Sequence, residues 1–424
     1  MPKCTCTPGT SGASTPDTRR HFRHEHPGTS GTSTLGTFCT SCTPSTTPFS
    51  VPLCQDGEMD HREGDTPVDS AAVLAALRAV HDPDLHKDIV SLGFVKDLRI
   101  EGGRVAFTIE LTTPACPVKD AMQEQARQAV AAVPGVSDVQ VTMTAAVRTA
   151  HNPASQQAPV PGVKNVIAVG AGKGGVGKTT VAVNLAVALA RLGSRVGIVD
   201  GDIYGPNVPI MLGIDSPLLA EGEKILPPER YGLKAVSMGF LANDDSPVIW
   251  RGPMLHSVIR QFFHDVKWGE LDYLVIDMPP GTGDVALSLS QTVPVAGAIV
   301  VTTPQAVSLA DSRRAVRMYQ KLNIPVLGLV ENMSYFACPN CGHESDIFGR
   351  GGGERVAGDM QVPFLGRVPI YEPIRSGGDT GSPLVILEPE SPAARAFTAV
   401  AEQTAAQVSI ASYRKPVIPL APAR

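Results

Sequence analysis

No run of apolar residues in this 424-residue chain approaches the ~20 needed to cross a bilayer, so a membrane-embedded protein is not expected. The first residues contain no apolar signal core, so secretion is not expected either. Positive charge is in deficit: Lys and Arg number 36 against 41 Asp and Glu, a net charge of -5. That balance argues against a general nucleic-acid or anionic-membrane surface, though not against a local patch. Cysteine is sparse, with 8 residues in all, which excludes a disulfide scaffold. Thiols in such a chain point to metal or redox chemistry in a reducing cytoplasm. What remains, 43% hydrophobic and 18% charged residues, suits a globular protein of two or three domains.

Composition divides the chain. Residues 1–65 are rich in Thr, Ser, Gly and Pro without apolar periodicity, and a disordered tail is expected. The same composition fits an over-long start, with Met59 as the first native residue. The tail contains Cys4, Cys6, Cys39, Cys42 and Cys54 beside His21, His24 and His26, and Cys39-x-x-Cys42 has ligand spacing. Residues 66–147 read as a small α+β domain in the order αββαβ, with Asp69 capping the first helix. Cys116 follows a strand and precedes a helix. There a helix dipole is expected to lower the thiol pKa, the alternative being a small residue packed in a turn.

Residues 148–163 are Pro- and Gln-rich and read as a mobile linker. From 164 to 411 strands and helices alternate, with strands expected at 166–170, 195–199, 233–237, 273–277, 297–302 and 325–331. The fold class is therefore α/β, a mainly parallel sheet flanked by helices. Residues 412–424 read as a loose tail whose prolines exclude a long membrane-binding helix.

Gly172-Lys173-Gly174-Gly175-Val176-Gly177-Lys178-Thr179, followed by Thr180, fits G-x-x-x-x-G-K-[ST]. It lies between the apolar strand 166–169 and the apolar helix 181–192, the context a phosphate-binding loop needs. Its glycines let backbone N–H groups converge on phosphate oxygens, and the helix N-terminus adds positive potential. Lys178 is expected at the β- and γ-phosphates and Thr179 on Mg²⁺. Asp200 and Asp202 close one strand and Asp277 another, at the carboxyl ends where α/β ligands gather. Two aspartates there suit placing water or Mg²⁺, with plain turn residues as the alternative for the first pair. Pro279-Pro280-Gly281-x-Gly283 suits a two-state loop. Asn332 offers donor and acceptor to a base edge. Cys338-x-x-Cys341 presents two thiolates to one metal, whereas a closed site usually needs four donors, which a symmetric dimer supplies. Zinc with His343, a dithiol redox pair and an inert turn are the alternatives.

The Lys-Gly-Gly-Val-Gly-Lys-Thr run resembles the deviant P-loop ATPases of the MinD, ParA and nitrogenase iron protein family. Asp277-Met-Pro-Pro-Gly-Thr-Gly-Asp284 and Glu331-Asn-Met-Ser-Tyr-Phe-Ala-Cys-Pro-Asn-Cys-Gly342 resemble the Mrp/ApbC branch of iron–sulfur cluster carriers. Residues 66–147 resemble the metal–sulfur cluster assembly domain often fused ahead of them. The resemblance covers roughly residues 68–385. It implies a homodimer that sandwiches ATP, with Lys173 crossing to the partner's nucleotide, a solvated Lys173 being the alternative. It implies that Asp202 positions the attacking water, Asp200 supports the metal site, Asn332 reads adenine and Pro369 packs on the base. It further implies slow ATP hydrolysis, a [4Fe–4S] cluster shared by Cys338 and Cys341 of two subunits, and transfer among scaffold and apo iron–sulfur proteins. Neither nucleic acid nor membrane is an expected partner. A MinD- or ParA-like positioning ATPase and a zinc-stabilised nucleotide-binding scaffold are the competing readings.

Overall fold

The computed structural model describes residues 68–150, 157–202, 205–240, 252–281, 292–338 and 341–413, with 252–256 as backbone only. The expected N-terminal tail with its cysteines and histidines, Thr282–Asp284 and residues 414–424 lie outside the described residues.

In the smaller domain, α1 (Ser70–Leu77) starts at Asp69, whose carboxylate accepts the Ala71 N–H. Val73 and Leu77, one turn apart, share its buried face. β1 (Val95–Glu101) and β2 (Arg104–Leu111) form an antiparallel hairpin around Gly102 and Gly103. Inward positions of β2 alternate as Val105, Phe107, Ile109 and Leu111. α2 (Lys119–Ala131) then crosses over, so that β3 (Asp138–Ala145) pairs parallel with β2. Met122, Ala126 and Val130 of α2 close this core.

The larger domain is an eight-stranded sheet. Its strands are β4 (Val163–Ala171), β5 (Val196–Asp200), β6 (Leu233–Ser237), β7 (Leu271–Asp277), β8 (Val295–Thr302), β9 (Val326–Glu331) and β12 (Phe364–Arg367), with a two-residue antiparallel edge at Glu229–Arg230. The order from that edge is β6-β5-β7-β4-β8-β9-β12, all parallel. Strands buried on both faces read as continuous apolar runs, as in Val166–Val169 and Leu274–Ile276. Ile167 and Val169 face one core together with α3 (Lys178–Arg191) and α7 (Pro392–Tyr413), while Val166 and Ala168 face the other. The strand at 364–367 was not expected from the sequence. It is four residues long, includes Gly366 and depends on β9 for its pairing.

The linker differs from expectation. Ala150 and Val160 are buried. Asn165 also clasps the linker start, its Oδ1 accepting the Ala150 N–H at 2.8 Å and its Nδ2 donating to the Arg148 carbonyl at 3.0 Å. A mobile tether would leave these apolar side chains and polar groups in water. Both described ends are instead anchored, and residues 151–156 lie outside the described residues. The small domain also rests on the large one. Ser409 of α7 donates to Thr112 Oγ1 at 2.8 Å, and Tyr413 packs against the small-domain core.

Phe397 on α7 is fully buried against the core built on α3. Phe397→Ala is expected to lower the stability of this domain by about 3–5 kcal/mol through lost burial and a residual cavity. Denaturant unfolding followed by tryptophan fluorescence checks this, and an unchanged midpoint contradicts the packing.

Candidate functional site

Strand order reverses around β4, with β7 and β5 to one side and β8 and β9 to the other. Such a switch point opens a crevice beyond the carboxyl ends of the strands. A cleft of about 790 Å³ lies there. Lys173, Gly174, Gly175, Gly177, Lys178, Thr179 and Thr180 line it, together with Asp202, Asn332 and Pro369. Ten of the expected site residues thus share one wall system, although up to 196 positions separate them in sequence (369 − 173).

The loop geometry follows from its glycines. Gly177 is the N-cap of α3 at φ +79 and offers no side-chain cap, so the first turn of α3, which lines the cleft, leaves its N–H groups uncapped by a side chain. A Cβ on Gly177 would lie 2.2 Å from Asn332 Nδ2. Gly172 stands elsewhere: a Cβ there would lie 2.3 Å from the Asp311 backbone, so this glycine lets the loop pass a neighbouring helix. Val176 is buried beneath the loop.

Lys178 is only 7% exposed, and its ammonium lies 2.7 Å from Asp277 Oδ1 and 4.0 Å from Asp202. Thr179 Oγ1 donates to Asp277 Oδ2 at 2.7 Å. Burial pushes the Asp277 carboxyl up, and the Lys178 charge and hydrogen bond oppose that shift. A hydroxyl and a carboxylate side by side at a phosphate loop are hard oxygen donors, and that donor set fits Mg²⁺. This ion commonly takes one or two protein ligands and completes its shell with phosphate and water.

Asp200 is placed differently from Asp277. It is fully buried, and its oxygens accept from Ser237 Oγ, the Val208 N–H and the Asp202 N–H at 3.0–3.1 Å. Burial first, and the Asp277 charge second, push its carboxyl up to about 7. Its hydrogen bonds to the Asp202 and Val208 N–H groups tie both ends of the segment that presents Asp202.

Asn332 does not point at open space. Its Nδ2 donates to the Val176 carbonyl at 2.8 Å, tying the end of β9 to the phosphate loop. Pro369 lies on the cleft wall beside Tyr371 and Ile374. Sequence reasoning missed Ile210, Met211, Ile347 and Phe348, which also line it. None sits in a motif. Ile210, Ile347 and Phe348 are 59%, 57% and 40% exposed, an apolar rim that no periodicity announces.

Cys338 and Cys341 lie outside the cleft. β10 (Phe336–Ala337) and β11 (Glu344–Ser345) pair as a short antiparallel hairpin. Cys338 N–H donates to the His343 carbonyl at 3.0 Å, and Gly342 N–H to the Cys338 carbonyl at 2.9 Å, so the two cysteine-bearing arms are held together by backbone. Cys338 is half-buried and Cys341 exposed. Among the described residues no group of three or more His, Cys, Asp or Glu gathers at this hairpin.

Cys116 reverses its expectation. Burial raises the thiol pKa, and Asp82, Asp84 and Glu402 raise it further, against one lowering hydrogen bond from the Val118 backbone. Desolvation and like charge both disfavour the thiolate there. Alkylation at neutral pH is therefore expected to modify Cys341 at least about tenfold faster than Cys116. Timed peptide mapping checks this, and equal rates contradict it.

The family model described as NUBPL iron-transfer P-loop NTPase matches residues 162–405, and the model described as iron-sulfur cluster assembly protein matches residues 70–143. An iron-sulfur cluster carrier protein of Synechocystis sp. is 52% identical over 347 residues, covering 80% of this chain and 98% of that protein. One of Deinococcus radiodurans is 50% identical over 341 residues, covering 80% and 95%. The chloroplastic Fe-S cluster assembly factor HCF101 of Arabidopsis thaliana is 47% identical over 332 residues, covering 77% of this chain and 61% of that protein. With its phosphate loop, parallel sheet and strand-end aspartates, the chain belongs to the NUBPL iron-transfer P-loop NTPase family and joins that domain to an iron–sulfur cluster assembly domain.

Proposed function

We propose that this protein is an ATP-dependent iron–sulfur cluster carrier that works as a homodimer. The observation that carries the reading is the direct tie from the phosphate loop to the strand that leads into the cysteine hairpin, Asn332 Nδ2 to the Val176 carbonyl. A nucleotide cleft and a cysteine pair, half-buried Cys338 and exposed Cys341, are thereby parts of one structure.

ATP is the substrate of the cleft. The N–H groups at the start of α3 and the Lys178 ammonium take the phosphate charge, and Lys173 does so from the facing subunit. Thr179 and Asp277 hold Mg²⁺, which supplies charge neutralisation at the phosphates. Asp202 orients a water for in-line attack on the γ-phosphorus. The bond to the bridging oxygen breaks, giving ADP and phosphate. Asn332 and the Pro369 segment hold the base. Turnover is slow, because hydrolysis serves to reset the loops.

The [4Fe–4S] cluster is the cargo. Two cysteines in each chain leave the donor set half complete, and a twofold axis beside the hairpins supplies Cys338 and Cys341 of a second copy. An exposed hairpin suits handover, since a thiolate of an apo-protein can approach it. Scaffold proteins load the cluster and apo iron–sulfur proteins receive it, in a reducing cytoplasm.

Anaerobic reconstitution with iron and sulfide tests this reading. The expected product absorbs broadly near ~400 nm and holds about four irons per dimer. Zinc without iron, or no metal, removes the carrier reading.

A further inference from the structure

Between Ser334 and Gly351 the chain leaves the sheet, forms the cysteine hairpin and returns to α6 (Gly352–Met360). One carboxylate holds both ends of this excursion. Glu331, the last residue of β9, is fully buried. Its Oε1 accepts from Ser334 Oγ at the outgoing end and from the Gly351 N–H, 2.8 Å away, at the returning end. Its Oε2 accepts from the Gly353 N–H.

These N–H groups open α6, whose N-cap Gly351 sits at φ +77 without a side-chain cap of its own. Glu331 thus supplies capping charge from another element. The fit is close: a Cβ on Gly353 would lie 3.0 Å from Glu331 Cβ. The flanking residues face the nucleotide cleft. Asn332 holds the phosphate loop, and Met333, Ile347 and Phe348 line the cavity. A buried carboxylate releases its donors only at the cost of leaving charge unsatisfied, so the segments it joins move together.

We infer that Glu331 is a positioning residue that transmits occupancy of the cleft to the Cys338–Cys341 hairpin. The inference rests on the nucleotide part of the proposed function and does not require that the cysteines carry a cluster.

The test uses the full chain without iron. Alkylation rates of Cys338 and Cys341 are measured by peptide mapping, with and without Mg²⁺ and a non-hydrolysable ATP analogue. In the unaltered protein the analogue is expected to change at least one rate by about fivefold or more. Ser334→Ala removes only the outgoing bond. Glu331→Gln keeps the volume but turns an amide N–H₂ toward a donor. In both variants the response is expected to shrink to within about twofold, while affinity for a fluorescent nucleotide stays within about threefold.

Variants that keep the full response overturn the inference, as does an unaltered protein that binds nucleotide without any response. Ser334→Ala that loses nucleotide affinity assigns Glu331 a merely structural role and also overturns it. Failure of iron reconstitution alongside an intact response removes the carrier reading and leaves the coupling standing.

Discussion

Lys178→Ala is expected to lower ATP turnover by about a thousandfold or more, because electrostatic stabilisation of the transferring phosphoryl group is worth several kcal/mol. The structure explains why no neighbour replaces it. Lys178 lies in the cleft wall at 7% exposure, where its charge is weakly screened, and it is poised at the carboxyl ends of β5 and β7 between Asp202 and Asp277. Lys173 sits at the loop's start, and our reading aims it at the nucleotide of the facing subunit.

The substitution also strips the buried Asp277 carboxylate of its counter-ion, which by itself destabilises a protein by about 3–5 kcal/mol. Turnover must therefore be read beside a folding measurement. Phosphate-release kinetics together with circular dichroism of the same sample separate the two. A folded variant with unchanged turnover removes Lys178 from phosphate chemistry.

The second large effect concerns cargo. Cys338→Ala and Cys341→Ala are each expected to reduce iron and sulfide to below about a tenth of the reconstituted value, since a four-donor cluster does not survive the loss of one ligand type from both subunits. Folding should be spared. Cys341 is exposed, and the hairpin is held by backbone bonds from Cys338 to His343 and Gly342 that alanine retains. Unchanged iron and sulfide in both variants would place the cluster elsewhere and end the bridging proposal.

Much of this molecule was legible in one dimension wherever the physics is local. A phosphate loop needs strand, glycines, lysine and helix in unbroken succession, so residues 166–192 announced themselves. Asp200 and Asp277 were placed by the rule that ligands gather where parallel strands end. Both were found there, yet their environments differ. Asp277 meets Lys178 and Thr179, whereas Asp200 spends its oxygens on Ser237, Val208 and Asp202. Sequence position could not distinguish them, because the difference arises from neighbours on other strands.

The same reason accounts for the misses. Cys116 looked activated by a helix start, but its thiol is governed by burial and by acidic residues as distant in sequence as Glu402. The linker looked mobile from its prolines and glutamines. Its described ends are held because Asn165 captures the backbone of Arg148 and Ala150 and because Val160 is buried. The strand at 364–367 exists because β9 pairs with it, not because its residues favour extension.

The sequence by itself determined the α/β class, the phosphate loop with its lysines, the strand-end acids and the two-cysteine motif, since each depends on spacing along a contiguous segment. Tertiary structure alone decided that Asn332 meets a carbonyl 156 residues away, that Ile347 and Phe348 wall the cleft, and that Glu331 clasps both ends of the cysteine excursion. Those contacts follow from strand order in the sheet, and hydrophobic patterning records which residues are buried but not which strands become neighbours.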